Sequence, residues 1–138
     1  IKCLSNCREI FKRPIVALDF SECSEKVLNV VKKFEELIEG IVLIHVVDYG
    51  RAEELEKNIE NAKAKLGEFG KLFKAPVKNE VLTGIASRSI LGIALAKDSS
   101  IIVMGKKGRS VIKDLLLGST AERVVRDSKL PVLLVPCE

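Results

Sequence analysis

Two segments carry residue types that can hold a charged ligand. The first is Gly105-Lys106-Lys107-Gly108, followed after nine residues by Gly118-Ser119-Thr120. Glycine has no Cβ, so Gly105 and Gly108 permit positive φ and let backbone N–H groups approach a ligand. Gly118-Ser119 opens an amphipathic stretch, and the free N–H groups and dipole of a helix start favour an anion. Lys106, Lys107, Arg109 and Lys113 add positive charge between the glycines. This spacing points to phosphate binding. The second segment is Asp19-Phe20-Ser21-Glu22. Asp19 and Ser21 are hard oxygen donors suited to a divalent cation on those phosphates, Mg or Mn. Asp19 also fits a plain helix-start role, with Ser21 as N-cap. Likewise Ser119-Thr120-Ala121-Glu122 fits a capping box with Ser119 as N-cap, although a cap does not require Gly105 and Gly108.

The elements that position these segments alternate between two periods. Pro14 to Asp19 is a short apolar run, and Val27, Val30, Val31, Phe34, Leu37 and Ile38 then recur at helical spacing until Gly40. Ile41 to Val47 is a β-branched run suited to a strand covered on both faces. Leu55, Ile59, Ala62, Leu66, Phe69 and Phe73 predict a long helix, its last turns weakened by Gly67 and Gly70 at about 1 kcal/mol each. Strand Val77–Leu82, helix Ile85–Lys97, strand Ile101–Met104, helix Ser119–Ser128 and strand Pro131–Val135 complete the chain. Strands separated by helices make an open parallel sheet with helices on both faces and right-handed crossovers. Ligands collect outside the carboxyl ends of such strands, where strand order reverses. Both segments follow strands. His45 lies within a buried strand and reads as a core histidine, and the Lys and Glu residues of the long helix read as a solvated face.

Composition narrows the function. The 138 residues are 47% hydrophobic and 30% charged, a globular balance that excludes disorder and low complexity. A net charge of +4 and 4% aromatic residues, with no Trp, speak against a nucleic-acid partner. No run reaches the roughly 18 apolar residues of a membrane span, and Ile1 to Arg13 lacks the apolar core of a signal peptide, so a cytoplasmic location is expected. The missing initiator methionine suggests a trimmed chain or a piece cut from a longer one. Cys3, Cys7, Cys23 and Cys137 are scattered, are expected as thiols in that compartment, and lack the spacing of a zinc site. There is no G-x4-G-K-(S/T) and no G-x-G-x-x-G after the first strand, which excludes those two phosphate loops. Strand three ends Val81-Leu82-Thr83-Gly84, without the phosphoacceptor Asp of a receiver domain. No nucleophile and base are paired, so a binder is expected. Asp19, Glu22 and Asp48 are the candidate bases for a slow hydrolase.

Gly105-x2-Gly108-x9-Gly118-Ser119 resembles the G-x2-G-x9-G-(S/T) motif of the ATP-binding branch of the universal stress protein family. The likeness runs from Pro14 to Pro136 and takes in Asp19-Phe20-Ser21-Glu22, Leu43 to Asp48, Gly84, Leu115 to Arg123 and Pro131 to Val135. Lys106-Lys107 stand where many members have a small polar residue and His, which strengthens the attraction for phosphate. The resemblance implies an N-terminal arm over 1–13 and one domain over 14–138. It implies a single-domain α/β fold, Rossmann-like and adenine nucleotide alpha hydrolase-like, with sheet order 3-2-1-4-5. It implies ATP as ligand, with Leu18, Asp19 and Val46 beside adenine and Met104 and Gly105 beside adenine and ribose. Gly108, Arg109, Gly118, Ser119 and Thr120 match the phosphate loop. Family members pair through the last strand, here Val132 to Val135, an apolar edge otherwise exposed. The implied role is a nucleotide-dependent regulator in stress response. The alternatives are a slow or partner-stimulated ATPase and a dimeric adaptor without nucleotide.

Overall fold

The computed structural model describes residues 8–47, 52–107 and 117–137. Five parallel strands form one sheet, β1 (Pro14–Ala17), β2 (Ile41–Val47), β3 (Val77–Thr83), β4 (Ile101–Gly105) and β5 (Val132–Val135), in the order β3-β2-β1-β4-β5. Helices α1 (Glu22–Lys33), α2 (Ala52–Gly70), α3 (Ala86–Ala96) and α4 (Ser119–Asp127) connect them. The strand order is the one implied by the family resemblance.

Side chains alternate across each strand, and the register aligns like with like. Val16 pairs with Leu43 and with Val103, which pairs with Leu133, so one apolar row crosses the sheet. This row belongs to the core cluster that holds Val27, Leu28 and Val31 of α1 and Leu66 of α2. Ile15, Ile44 and Ile102 point to the other face and pack with Ile90 and Ala94 of α3 and Ala121 and Val124 of α4. The sheet is thus covered on both faces, as β2's uninterrupted apolar run requires. Pro14 stands at the first position of β1, where the missing N–H interrupts the ladder least.

The first helix stops earlier than its apolar periodicity predicts. It ends at Lys33, and a single 3-10 turn, Glu35–Leu37, carries the chain on. That turn keeps Phe34 and Ile38 facing inward, so the apolar phase continues although the helix does not. Gly40 lies beyond it, and the N–H groups of Glu39 and Gly40 both donate to the Lys12 carbonyl on the way into β2. Helix α2 continues through Gly67, where an added Cβ would meet nothing within 4 Å, and closes at Gly70, before Phe73. Residues 8–13 pack against the body of the fold: Ile10 and Phe11 contact the core, and the Phe11 and Phe34 rings lie 4.6 Å apart. Arg13 and Ser100 exchange hydrogen bonds in both directions at the amino ends of β1 and β4.

A disulfide joins Cys23 in the first turn of α1 to Cys137 beyond β5, with Cα atoms 4.9 Å apart. Thiols were the expectation for these two residues, and a separation of 114 positions in sequence conceals their proximity. The bridge also changes the reading of Gly105. Its φ is not positive, since Gly84 is the described glycine with that geometry, at 131°. What Gly105 provides is space: a Cβ there would sit 2.6 Å from Cys23 Sγ and 3.2 Å from the Lys107 carbonyl oxygen.

Two measurements follow from these contacts. Gly105→Ala should lower stability by about 1–3 kcal/mol, because the bonded Cys23 sulfur cannot yield. Urea unfolding should show a smaller loss when the same change is made beside Cys137→Ser, which frees that sulfur. Glu35 should carry part of the acid sensitivity. Its carboxylate accepts from Lys32 Nζ at 2.7 Å and from the Lys74 N–H at 2.6 Å, and these bonds, Lys32's first, hold its pKa below the usual carboxylate range. A depressed carboxyl stabilises the fold fully above its unfolded pKa, near 4.3, and ceases to as pH falls through its lower folded value. Unfolding of Glu35→Gln should therefore differ from wild type at pH 7 and converge with it toward pH 2.

Candidate functional site

Strand order reverses between β1 and β4, which are paired to each other while their chains continue to opposite sides of the sheet. A cleft of about 790 Å³ lies at the carboxyl ends of these strands, within the range of small-molecule sites. Ile44, Val46 and Met104 give it an apolar floor, and Leu18 and Asp19 enter directly after β1. Gly105 and Lys107 come from the end of β4, and Gly118, Ser119 and Thr120 from the start of α4. The cleft therefore gathers Leu18, Asp19, Val46, Met104, Gly105, Gly118, Ser119 and Thr120, all assigned to a ligand from sequence. Gly108 and Arg109, like Asp48, Lys113, Cys3 and Cys7, lie outside the described residues.

Asp19 is held by the start of α1. Its Oδ1 accepts from the Ser21 N–H at 2.9 Å, from Ser21 Oγ at 2.6 Å and from Ser24 Oγ at 3.4 Å. Ser21 caps α1 by accepting from the Cys23 N–H at 3.2 Å, and it does not line the cleft. The sequence left Asp19 between a ligand role and a helix-start role, and its geometry serves both: it orders the turn and faces the cleft. Between the two residues, Phe20 adopts a φ of 64°. An aromatic residue in this left-handed region costs of order 1 kcal/mol or more, which the Phe20 N–H bond to Ser24 Oγ and the packing of its ring offset.

His45 departs from the core role read from its strand. It is half-buried and lines the cleft, its ring stacked on Phe20 with centroids 4.0 Å apart. Its Nδ1–H donates to the Leu18 carbonyl at 2.7 Å, which ties β2 to the end of β1. Lys65 Nζ of α2 lies over the Phe20 ring, 4.9 Å from its centroid. Asn58, Asn61, Ala62 and Lys65 form one wall of the cleft. They stand at i, i+3, i+4 and i+7 on one helical face, of which the sequence reading placed Lys65 on solvated surface and Ala62 on the apolar stripe and gave Asn58 and Asn61 no role.

Another wall comes from the end of β4 and the start of α4. Gly118 is the N-cap of α4, not Ser119, and among the described residues no side chain accepts from this helix start. The capping box weighed as an alternative at Ser119 does not form, because Ser119 already has helical geometry, one residue too late to cap. Gly118 itself donates its N–H to the Lys106 carbonyl at 2.9 Å, and the Lys106 N–H donates to the Val135 carbonyl at 2.8 Å. Loop, helix start and sheet edge are thereby joined. Glu122 also lines the cleft. Among the described residues no group of three or more His, Cys, Asp or Glu is placed to hold a metal, and no helix is long and apolar enough to cross a membrane.

Comparison with known proteins agrees with this architecture. Residues 11–136 match the model of the universal stress protein family. Universal stress protein MJ0577 of Methanocaldococcus jannaschii is 31% identical over 91% of this chain and 95% of its own length. Universal stress protein YxiE of Bacillus subtilis is 32% identical over 91% of this chain and 99% of its own. The solved structure of MJ0577 superposes with a TM-score of 0.83, covering 92% of this chain and 96% of that one. At the level of fold alone, a universal stress protein from Archaeoglobus fulgidus solved in complex with dAMP, 21% identical, has a TM-score of 0.66 over 91% of this chain and 98% of that one. From the parallel sheet, its strand order and these matches, the chain belongs to the universal stress protein family.

Proposed function

We propose that this protein binds ATP in the cleft between the loops after β1 and β4 and acts as a nucleotide-dependent regulator in stress response. One observation carries the reading: eight of the ten residues assigned to a nucleotide from sequence converge on a single cleft at the strand-order reversal. Adenine would rest on the aliphatic floor of Val46 and Met104 beside Leu18 and Asp19. The phosphates would meet the N–H groups of Ser119 and Thr120 beside Gly118, whose own N–H is held by the Lys106 carbonyl, with Lys107 alongside and Gly108 and Arg109 in the same motif. Asp19 would face a Mg or Mn ion carried by those phosphates, with Ser21 acting through its bond to Asp19. The dAMP complex of a protein of this fold agrees with an adenine nucleotide.

The working unit would be a cytoplasmic homodimer joined through Val132 to Val135. This strand ends the sheet, with Val132, Leu133 and Leu134 half-buried, so a second copy would cover an apolar edge. Hydrolysis is the second reading, with Asp19, one of two described carboxylates lining the cleft beside Glu122, as the group that would orient water for it.

Nucleotide should be released when the purified protein is denatured, and chromatography will show whether it is ATP, ADP or AMP. Mg-ATP should raise the melting temperature of stripped protein by several degrees, and Gly118→Val should weaken binding at least tenfold by placing bulk against the phosphates. Absence of bound nucleotide together with no thermal shift would overturn the proposal in favour of the adaptor. Full affinity in a folded Gly118→Val protein would move the phosphates elsewhere. Phosphate release that Asp19→Ala abolishes, with binding intact, would make the protein an ATPase.

A further inference from the structure

We infer that Cys23 and Cys137 are a reversible redox modification site whose state sets how tightly the cleft holds its nucleotide, an inference that rests on the nucleotide reading above. The two sulfurs belong to different parts of the machinery. Cys23 is buried, sits in the first turn of α1 and lines the cleft; Cys137 is half-buried on the tail after β5. Both lie against Gly105, since a Cβ there would be 2.6 Å from Cys23 Sγ and 3.4 Å from Cys137 Sγ. Cys137 Sγ is also 3.5 Å from the Lys107 carbonyl oxygen, and Lys26 Nζ donates to the Cys137 carbonyl at 2.6 Å. The bridge thus closes onto the first glycine of the phosphate motif.

The modifying reagent is a low-molecular-weight thiol and its disulfide. A thiolate RS⁻ attacks Cys137 Sγ, the more accessible sulfur, forming Cys137–S–S–R while Cys23 leaves as thiolate and takes a proton. A second thiolate attacks the R-side sulfur, releasing RSSR and the Cys137 thiolate, which is protonated in turn. The net reaction is protein disulfide plus two RSH to protein dithiol plus RSSR, and excess RSSR reverses it.

Reduction has one direction in which to act. Two thiols cannot remain at bonding distance, and Cys23 is fixed in a buried helix turn beneath Gly105. The tail bearing Cys137 must move outward. Val135 precedes Cys137 by two residues and accepts from the Lys106 N–H, and the Lys106 carbonyl accepts from the Gly118 N–H. Displacing the tail therefore loosens, through Lys106, the N-cap of α4 on which the phosphates would rest.

The test uses full-length protein carrying Cys3→Ser and Cys7→Ser, oxidised with glutathione disulfide or reduced with dithiothreitol. Maleimide labelling followed by mass measurement should leave both remaining cysteines unmodified after oxidation and modify both after reduction; labelling of both after oxidation would overturn the site. Calorimetry should give a dissociation constant for Mg-ATP about tenfold weaker after reduction, and Cys137→Ser should show the weaker value under both conditions. Equal constants would overturn the coupling and leave the nucleotide reading standing. Amide exchange on nucleotide-free protein reads the same device independently: the Lys106 and Gly118 amides should exchange at least fivefold faster after reduction. Unchanged exchange would overturn the inference even if no nucleotide binds, whereas absent binding with faster exchange would remove the nucleotide reading alone.

Discussion

The parallel pairing of β1 with β2 on one side and β4 on the other governs the rest of the molecule. Because β1 is hydrogen-bonded on both edges, both of its neighbours' side-chain rows lie in register with its own, and Val16 and Ile15 seed the two opposite cores. The connections from β1 and β4 then leave the sheet from adjacent carboxyl ends toward opposite faces, α1 on one and α4 on the other. A gap between them is unavoidable, and the cleft is that gap. Its floor inherits the apolar character of strands built to be covered, while loop and helix-start residues rim it.

The opposite pole of the sheet is treated differently. There Arg13, Ser100 and the Lys12 carbonyl bind strand entries to one another through backbone and hydroxyl groups, with Glu39 and Asp98 adding exposed ion pairs to Arg13. Exposed pairs of this kind contribute little individually. The Arg13 and Ser100 contacts lie at the end of the sheet opposite the cleft, where they hold strand entries without lining it.

Much of this was legible in the sequence, for identifiable reasons. Strand β2 was read to the residue because seven consecutive apolar or β-branched positions, broken only by His45, have no other stable place than a doubly covered strand. The glycine spacing pointed to the end of β4 and the start of α4, and both line the cleft. The end of α1 was misread because a 3-10 turn preserves the inward direction of Phe34 and Ile38, and periodicity records direction, not hydrogen bonding. The α2 wall escaped because Asn58, Asn61 and Lys65 are polar residues, and a polar helix face looks the same whether it meets bulk water or a ligand. The Cys23–Cys137 bridge and the left-handed Phe20 depend on tertiary proximity and local compensation that no short window of sequence contains.

Helices α1 and α4 begin on either side of the same cleft, yet they begin differently. Ser21 supplies an oxygen to the first turn of α1, whereas α4 starts at Gly118 with no such oxygen from the described side chains. Amide donors at a helix start are stabilised by whatever acceptor reaches them, and a residue without a side chain leaves that place to an outsider. One helix is finished by its own sequence. The other is left to an acceptor from outside, so under the proposed function the order of its first turn and the filling of the cleft would form a single equilibrium.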